Sequence, residues 1–444
     1  MPSIISELLS DVPLPQVVPI RQEFERPRVD DVARATREQI RSSGILNPLK
    51  TTAAATDRRS PPRVAITAGS RGIAGLPQIL RASVEEVRTA GADPFVVPAM
   101  GSHGGATAEG QLRVLEGLGV TEASVGAPIV SSVEVVEVGN TDDGLPVLID
   151  RAAAGADAIL LVNTVKPHVS YRGRYESGLF KMMAIGLGKQ HGAQICHDLG
   201  FTRMAENVEA IARVVLSKTG ILGGIAIVEN AYHETAVIEA IAADRIAERE
   251  PELLKEAWRL MPRLPVDEID VLVIDRIGKE IAGTGFNTNV VGRYSAPHMS
   301  GGPKVHRLVV LGLTSASHGN ANGVGIADFT TERLFAAMSF EATYPNSLTS
   351  TVPTSAKLPM VLPTDRLAIQ AAVRTSNVRD KRKVRLVRIR DTLALDAILV
   401  SENLLPDVAA TPRTHVAGDP RKLAFDEHGT IVALDVGGTR QADA

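Results

Sequence analysis

A single cysteine, Cys196, stands in 444 residues, so the chain can form neither an intramolecular disulfide nor a thiolate cage for a metal, and a cytosolic protein is expected. Aromatic residues make up only 3%, which argues against the stacking platforms that grip single-stranded nucleic acid. An excess of one charge is also missing. The net charge of −3 gives no reason to expect nucleic acid or an anionic membrane as a partner. Apolar runs such as 308–313 are far shorter than a bilayer span. The opening residues, Met1-Pro2-Ser3-Ile4-Ile5, lack the basic start and apolar core of a secretory signal. No repeat of solenoid period and no long low-complexity segment occurs.

What remains is a chain of ordinary composition, long enough for two domains that each bury a core. The first fifty residues read as an arm with one helix near 29–42. After Pro61-Pro62 a strand–loop–helix rhythm begins, with strands at 64–67, 94–98, 157–162 and 224–228 and helices at 76–89 and 109–118. Alternation of this kind indicates βαβ units around a mostly parallel sheet. Met261-Pro262-Arg263-Leu264-Pro265 suits a linker. Beyond it come strands near 271–274, 307–313 and 383–388, a helix at 331–338 and a hairpin over 423–434, with Asp328 expected as a helix cap for Thr330 onward in preference to a substrate contact. The expected fold class is α/β, two domains of mostly parallel or mixed sheet with a cleft between them, a common place for a small-molecule site. The boundaries fall at 1–262 for a catalytic amino-terminal domain and 263–444 for a domain closing the substrate cleft.

Three loops that follow strands carry chemistry. Ala68-Gly69-Ser70-Arg71-Gly72 joins glycines to an arginine ahead of a helix, a combination able to hold phosphate or to be an ordinary surface turn. It lacks the Gly-x-Gly-x-x-Gly dinucleotide fingerprint. Gly101-Ser102-His103-Gly104-Gly105 presents a glycine-flanked histidine, either a general base or a turn residue bonded to nearby backbone. The third loop holds Lys166-Pro167-His168, and Glu176-Ser177-Gly178-Leu179-Phe180-Lys181 and Cys196-His197 follow. A lysine in such a setting can be a carbonyl-reactive nucleophile. His197 is a candidate metal ligand with His191 as its rival, and no His-x-x-x-His or His-Glu-x-x-His pattern supports an all-protein zinc site. His298, His306 and His318 have no assigned role.

The order of loop arginine, glycine-flanked histidine, second histidine, lysine and third histidine resembles the nickel-pincer lactate racemase family. The resemblance covers most of the amino-terminal half. It continues more weakly through Ile277-Gly278-Lys279-Glu280-Ile281 and Gly292-Arg293, which look like the second domain of the wider racemase and epimerase group. It implies His103 and His168 as paired acid/base residues on opposite faces of a 2-hydroxy acid. Lys181 would hold the nickel-pincer nucleotide (pyridinium-3-thioamide-5-thiocarboxylic acid mononucleotide) through a thioamide, and His197 would ligate nickel. Ser70, Arg71 and Gly72 would hold its phosphate, and Lys279 or Arg293 would clamp the substrate carboxylate. Enzymes that make the cofactor are then implied partners, and a homo-oligomer is compatible with the chain.

Three departures accompany the resemblance. The family's acidic residue ahead of the loop arginine is replaced by Ala68, the residue after the first histidine is Gly104, and Tyr171-Arg172-Gly173-Arg174-Tyr175 lengthens the interval from His168 to Lys181. The last two suggest a substrate larger or more polar than lactate, such as a sugar acid. The implied reaction is inversion at C2, with hydride passing reversibly to the pyridinium ring. Two other readings stand beside it: a metal-dependent lyase or hydrolase with His103, His168 and His197 as direct ligands, and a non-catalytic phosphate- or sugar-acid-binding protein.

Overall fold

The computed structural model describes residues 4–49, 60–70 and 72–436. The chain divides into two compact units, Glu25–Met261 on the one hand and Pro262–Ala444 together with Met1–Phe24 on the other. Both are α/β.

In the unit Glu25–Met261, strands Asp93–Pro98, Arg63–Ala68, Ala158–Thr164 and Ile221–Glu229 lie side by side in parallel, and Thr235–Ala242 closes the row antiparallel to its neighbour. Their apolar runs are buried on both faces, as a parallel sheet covered on both sides requires. Alternation along one strand divides its side chains between two cores: Ile159 and Leu161 enter one, while Leu160 and Val162 enter the other. The helices Met204–Lys218 and Ile246–Leu260 cover the first core. Helices Val32–Ser43 and Leu76–Thr89 cover the second. Asp31 starts the helix Val32–Ser43 by accepting the Arg34 N–H, and Gly44 ends it in the left-handed region. A hairpin of Val135–Asn140 and Pro146–Asp150 stands apart from the main sheet, and the sequence reading did not contain it.

The second unit is an eight-stranded mixed sheet. Met360–Leu362, Phe329–Thr331, Lys304–Val310, Glu268–Ile274 and Leu386–Ile389 run parallel, and then Ala397–Ser401, Val17–Gln22 and Thr414–Val416 continue in antiparallel fashion. The first residues of the chain therefore do not form an arm of the amino-terminal domain. They supply an interior strand here, with Val17, Val18 and Ile20 buried. Two further expectations are corrected. Asp328 caps no helix: its carboxylate accepts the Leu308 N–H and pairs with Arg293, while Thr331 caps Glu332–Ala337. The expected terminal hairpin reduces to a single bridge, Phe425 to Ile431, around a turn held by the Asp426 carboxylate. No helix among the described residues is long and apolar enough to cross a membrane.

Ile20 is fully buried opposite Ile398 and Val416. Ile20→Ala is expected to cost about 2–5 kcal/mol, read by urea denaturation. A loss under about 0.5 kcal/mol, the range of ordinary surface substitutions, would mean that this strand is not part of the core.

Candidate functional site

Parallel register brings the chemistry to one edge. Ala68 pairs with Pro98 and Ile66 with Leu160, so the strands Arg63–Ala68, Asp93–Pro98 and Ala158–Thr164 end together. The loops carrying Ser70, His103 and His168 all leave from this edge, the carboxyl end at which open α/β sheets bind ligands.

Lys181 ends a one-turn helix, Leu179–Lys181, that passes directly into a π-helical turn, Met182–Gly186, closed by the Leu187 N–H on the Met182 carbonyl at 2.8 Å. Such turns recur at functional positions because they displace side chains from the regular helical track. The start of the short helix is held from far along the chain. Glu250 Oε2 accepts the N–H groups of Leu179 and Phe180 at 2.8 and 3.1 Å. Burial pushes the Glu250 carboxyl up to about 7 against the pull of these two bonds, and its second oxygen has no hydrogen-bond partner. Asn163, at the strand end, donates to the Gly178 carbonyl at 2.7 Å and lies beside Gly69 of the first loop.

The π turn touches the His103 loop. The Gly101 N–H donates to the Gly186 carbonyl at 3.3 Å, and a Cβ at Gly186 would stand 2.7 Å from the Ala99 carbonyl oxygen. Gly104, next to His103, has φ +66°, and a Cβ there would meet the backbone of Gly110 and Gln111 at 2.5 and 2.6 Å. Glycine at 104 is thus required by backbone conformation and by the approach of the helix Ala108–Gly117. This removes it as a sign of a wider substrate pocket.

His197 lies near the end of the helix Lys189–Asp198. Its Nδ1 is 2.5 Å from the Ala193 carbonyl, an acceptor, so Nδ1 carries the proton and Nε2 keeps its lone pair. Burial lowers the pKa of this imidazole, the Ala193 bond opposes the shift and the charge of Lys181 adds to it, all of which leaves a neutral ring at neutral pH. A neutral ring with one nitrogen anchored to a carbonyl is the usual form of a histidine metal ligand. Phe201 stands between two of the histidines, its ring centroid 5.6 Å from His197 and 6.2 Å from His168.

His168 is set by its own loop. Its backbone N–H donates to Glu176 Oε2 at 2.5 Å, and Lys166 and Ser177 close the loop as a bridge. The Ser170 N–H donates to His168 Nδ1 at 3.1 Å, so the neutral ring carries its proton on Nε2. His168 and His197 are therefore held in opposite tautomers. Glu176 is buried, and desolvation raises its carboxyl to about 7 despite the N–H bonds from His168 and Gly173 and the charges of Arg172 and Lys181. Tyr171 and Tyr175 of the lengthened interval turn into the core. Their hydroxyls donate to the carbonyls of Glu176 and Ala247, and Tyr175 stacks on Phe180 at 3.7 Å. Arg172 lies over the Trp258 ring. The aromatic part of this insertion is packing and does not enlarge the site.

The structure thus gathers His103, His168, Lys181 and His197 in the unit Glu25–Met261. Ser70 is half-buried and Gly72 exposed at the same edge, and Arg71 lies outside the described residues. His191, the rival ligand, is exposed. Lys279 and Arg293 belong to the other unit. Lys279 Nζ donates to the Gly283 carbonyl at 2.8 Å, and Arg293 pairs with Asp328 at 2.6 Å. Among the described residues, no group of three or more His, Cys, Asp or Glu side chains could hold a metal, so direct ligation by the histidines alone has no cage. Glu250 and Phe201 escaped the sequence reading. Nothing in sequence distinguishes a glutamate turned inward from its neighbours on an amphipathic helix.

Residues 26–209 match the family model of the lactate racemase N-terminal domain. Among solved structures, the chain is similar to the lactate racemase apoprotein from Thermoanaerobacterium thermosaccharolyticum, with 12% identity, a TM-score of 0.49, and coverage of 85% of this chain and 98% of that one. No curated protein matches the sequence.

The raised carboxyl of Glu250 has a consequence for stability. Between its ordinary value of 4.5 and about 7, the folded state binds the proton that the unfolded state has lost. Stability therefore falls as pH rises through this window, by up to about 1.4 kcal/mol per pH unit. Glu250→Gln keeps an acceptor for Leu179 and Phe180 and is expected to flatten the fall between about pH 5 and about pH 7, read from urea midpoints. An unchanged slope would show that the carboxyl does not titrate there.

Proposed function

We propose that the chain, whose residues 26–209 match the family model of the lactate racemase N-terminal domain, is a racemase or epimerase that inverts C2 of a 2-hydroxy acid using a nickel-pincer nucleotide. The observation that carries this reading is the neutral His197, its Nε2 lone pair unused, on the helix that follows the Lys181 turn. His197 would give that nitrogen to nickel, and Lys181 would carry the nucleotide through a thioamide. When bound, the group supplies a hydride acceptor beside the metal.

The protein's own residues bind, orient and move protons. His168, with its proton on Nε2, would donate a hydrogen bond to the oxygen on C2, and Glu176 fixes the backbone from which it does so. His103, on a separate loop, would take or return the hydroxyl proton on the other face. Two groups are needed because inversion passes through a planar 2-keto acid that must be served from both sides. Arg293, already closed on Asp328, is not assigned to the substrate carboxylate.

The test begins with mass. After co-expression with the cofactor-making enzymes and nickel, beside a known lactate racemase as loading control, a nucleotide-sized adduct is expected on Lys181, with about one nickel per chain. An unmodified Lys181 beside a loaded control would reject the reading. In the loaded protein, His168→Ala is expected to slow stereochemical exchange by at least about a hundredfold, followed by chiral chromatography. Lys255→Ala, at an exposed pair with Glu252, is expected to leave it unchanged. Full exchange in loaded His168→Ala would overturn the paired-histidine assignment.

A further inference from the structure

A fully buried cation that the reaction does not use lies beside the site. Lys189 opens the helix that carries His197, and its side chain is completely enclosed. Its φ of +53° is in the left-handed region, a costly conformation for a residue with a Cβ. The ammonium faces three acceptors. It is 2.9 Å from Asp150 Oδ2, it donates to the Pro98 carbonyl at the end of the strand that leads to His103, and it donates to Gln111 Oε1 at 3.2 Å.

Gln111 extends this contact into the His103 loop. It is fully buried, and its Nε2 donates to the Gly101 carbonyl at 3.0 Å and to the His103 carbonyl at 3.4 Å. Asp150 ties in the other side: its Oδ1 accepts the Ala153 N–H, and its own N–H donates to the Leu187 carbonyl just after the π turn. One ammonium thus joins the start of the His197 helix, the end of the Lys181 turn and the backbone of the His103 loop.

Stability alone is a weak reason for such an arrangement. A buried ion pair loses its hydration, and well-packed apolar residues of similar volume serve as well or better. What the ammonium has and an apolar residue lacks is direction, because its hydrogen bonds to the Pro98 carbonyl and Gln111 Oε1 each fix an angle of approach. We propose that Lys189 is a positioning residue that registers the His103 loop on the helix carrying His197, acting through Gln111. The ammonium is sealed from solvent, so it contributes placement and not proton transfer.

The assignment rests on His103 as the acid/base residue, and its test has one arm that does not need turnover. Two variants are made: Gln111→Met, which cuts the link to the loop and leaves the Lys189–Asp150 pair, and Lys189→Met with Asp150→Asn, which removes the pair without stranding a charge. Histidine-labelled protein gives ring signals by NMR, and that of His103 is identified by its loss in His103→Gln. In both variants the His103 signal is expected to shift or broaden while those of His168 and His197 stay in place. In loaded protein, kcat is expected to fall about tenfold or more with KM little changed, the mark of a loss felt only in the transition state. A lower melting temperature with the His103 signal and kcat unmoved would overturn the proposal and leave Lys189 a purely structural residue. If the parent carries no adduct on Lys181, the proposed function fails by itself, and the NMR comparison still decides whether Lys189 places the loop. Should the double substitution fail to fold, Gln111→Met alone carries both readouts.

Discussion

Backbone N–H groups removed from water must find acceptors, and where a chain leaves regular structure to build a site its own ladders no longer supply them. Here two buried carboxylates do so. Glu250 receives the N–H groups that open the Lys181 turn, and Glu176 receives that of His168. Both acids pay in desolvation, which lifts each to about 7. The placement of the lysine and of the second histidine depends on these contacts more than on local helix or strand preference, since the segments concerned are one helical turn and a loop.

Much of the architecture was legible because it follows from short-range rules. The strands at 64–67, 94–98, 157–162 and 224–228 and the helix at 76–89 come from apolar runs bounded by glycine and proline, and each occurs within a few residues of its expected place. His103 and His168 were also visible, as unusual side chains in loops just beyond such strands, while Lys181 and His197 lie on the helical segments that follow. Parallel register makes the strands that carry the first two loops end together.

The remainder was hidden for physical reasons. Glu250 meets Leu179 from some seventy residues away, and no local pattern marks a helix residue for such a partner. Gly104 and the tyrosines at 171 and 175 were visible but misread, because absence of a side chain and presence of a ring look alike whether they face a substrate or a core. Only the neighbours decide: the backbone of Gly110 stands against Gly104, and Phe180 lies flat against Tyr175. The strand Val17–Gln22 was passed over because its partners, Ala397–Ser401 and Thr414–Val416, lie almost the whole chain away.

That long separation bears on how the molecule is made. On the ribosome, Val17–Gln22 is synthesised before any strand it pairs with, and the whole of Glu25–Met261 emerges before the rest of its sheet begins. The unit Glu25–Met261 has every strand of its five-stranded sheet described here once Thr235–Ala242 is out and can fold while synthesis continues, as domains commonly do. The eight-stranded sheet must wait for Ala397–Ser401 and Thr414–Val416, with an apolar strand held unpaired in the meantime. Synthesis therefore imposes an order, the five-stranded sheet first and the eight-stranded sheet last, and the delay falls on Val17–Gln22.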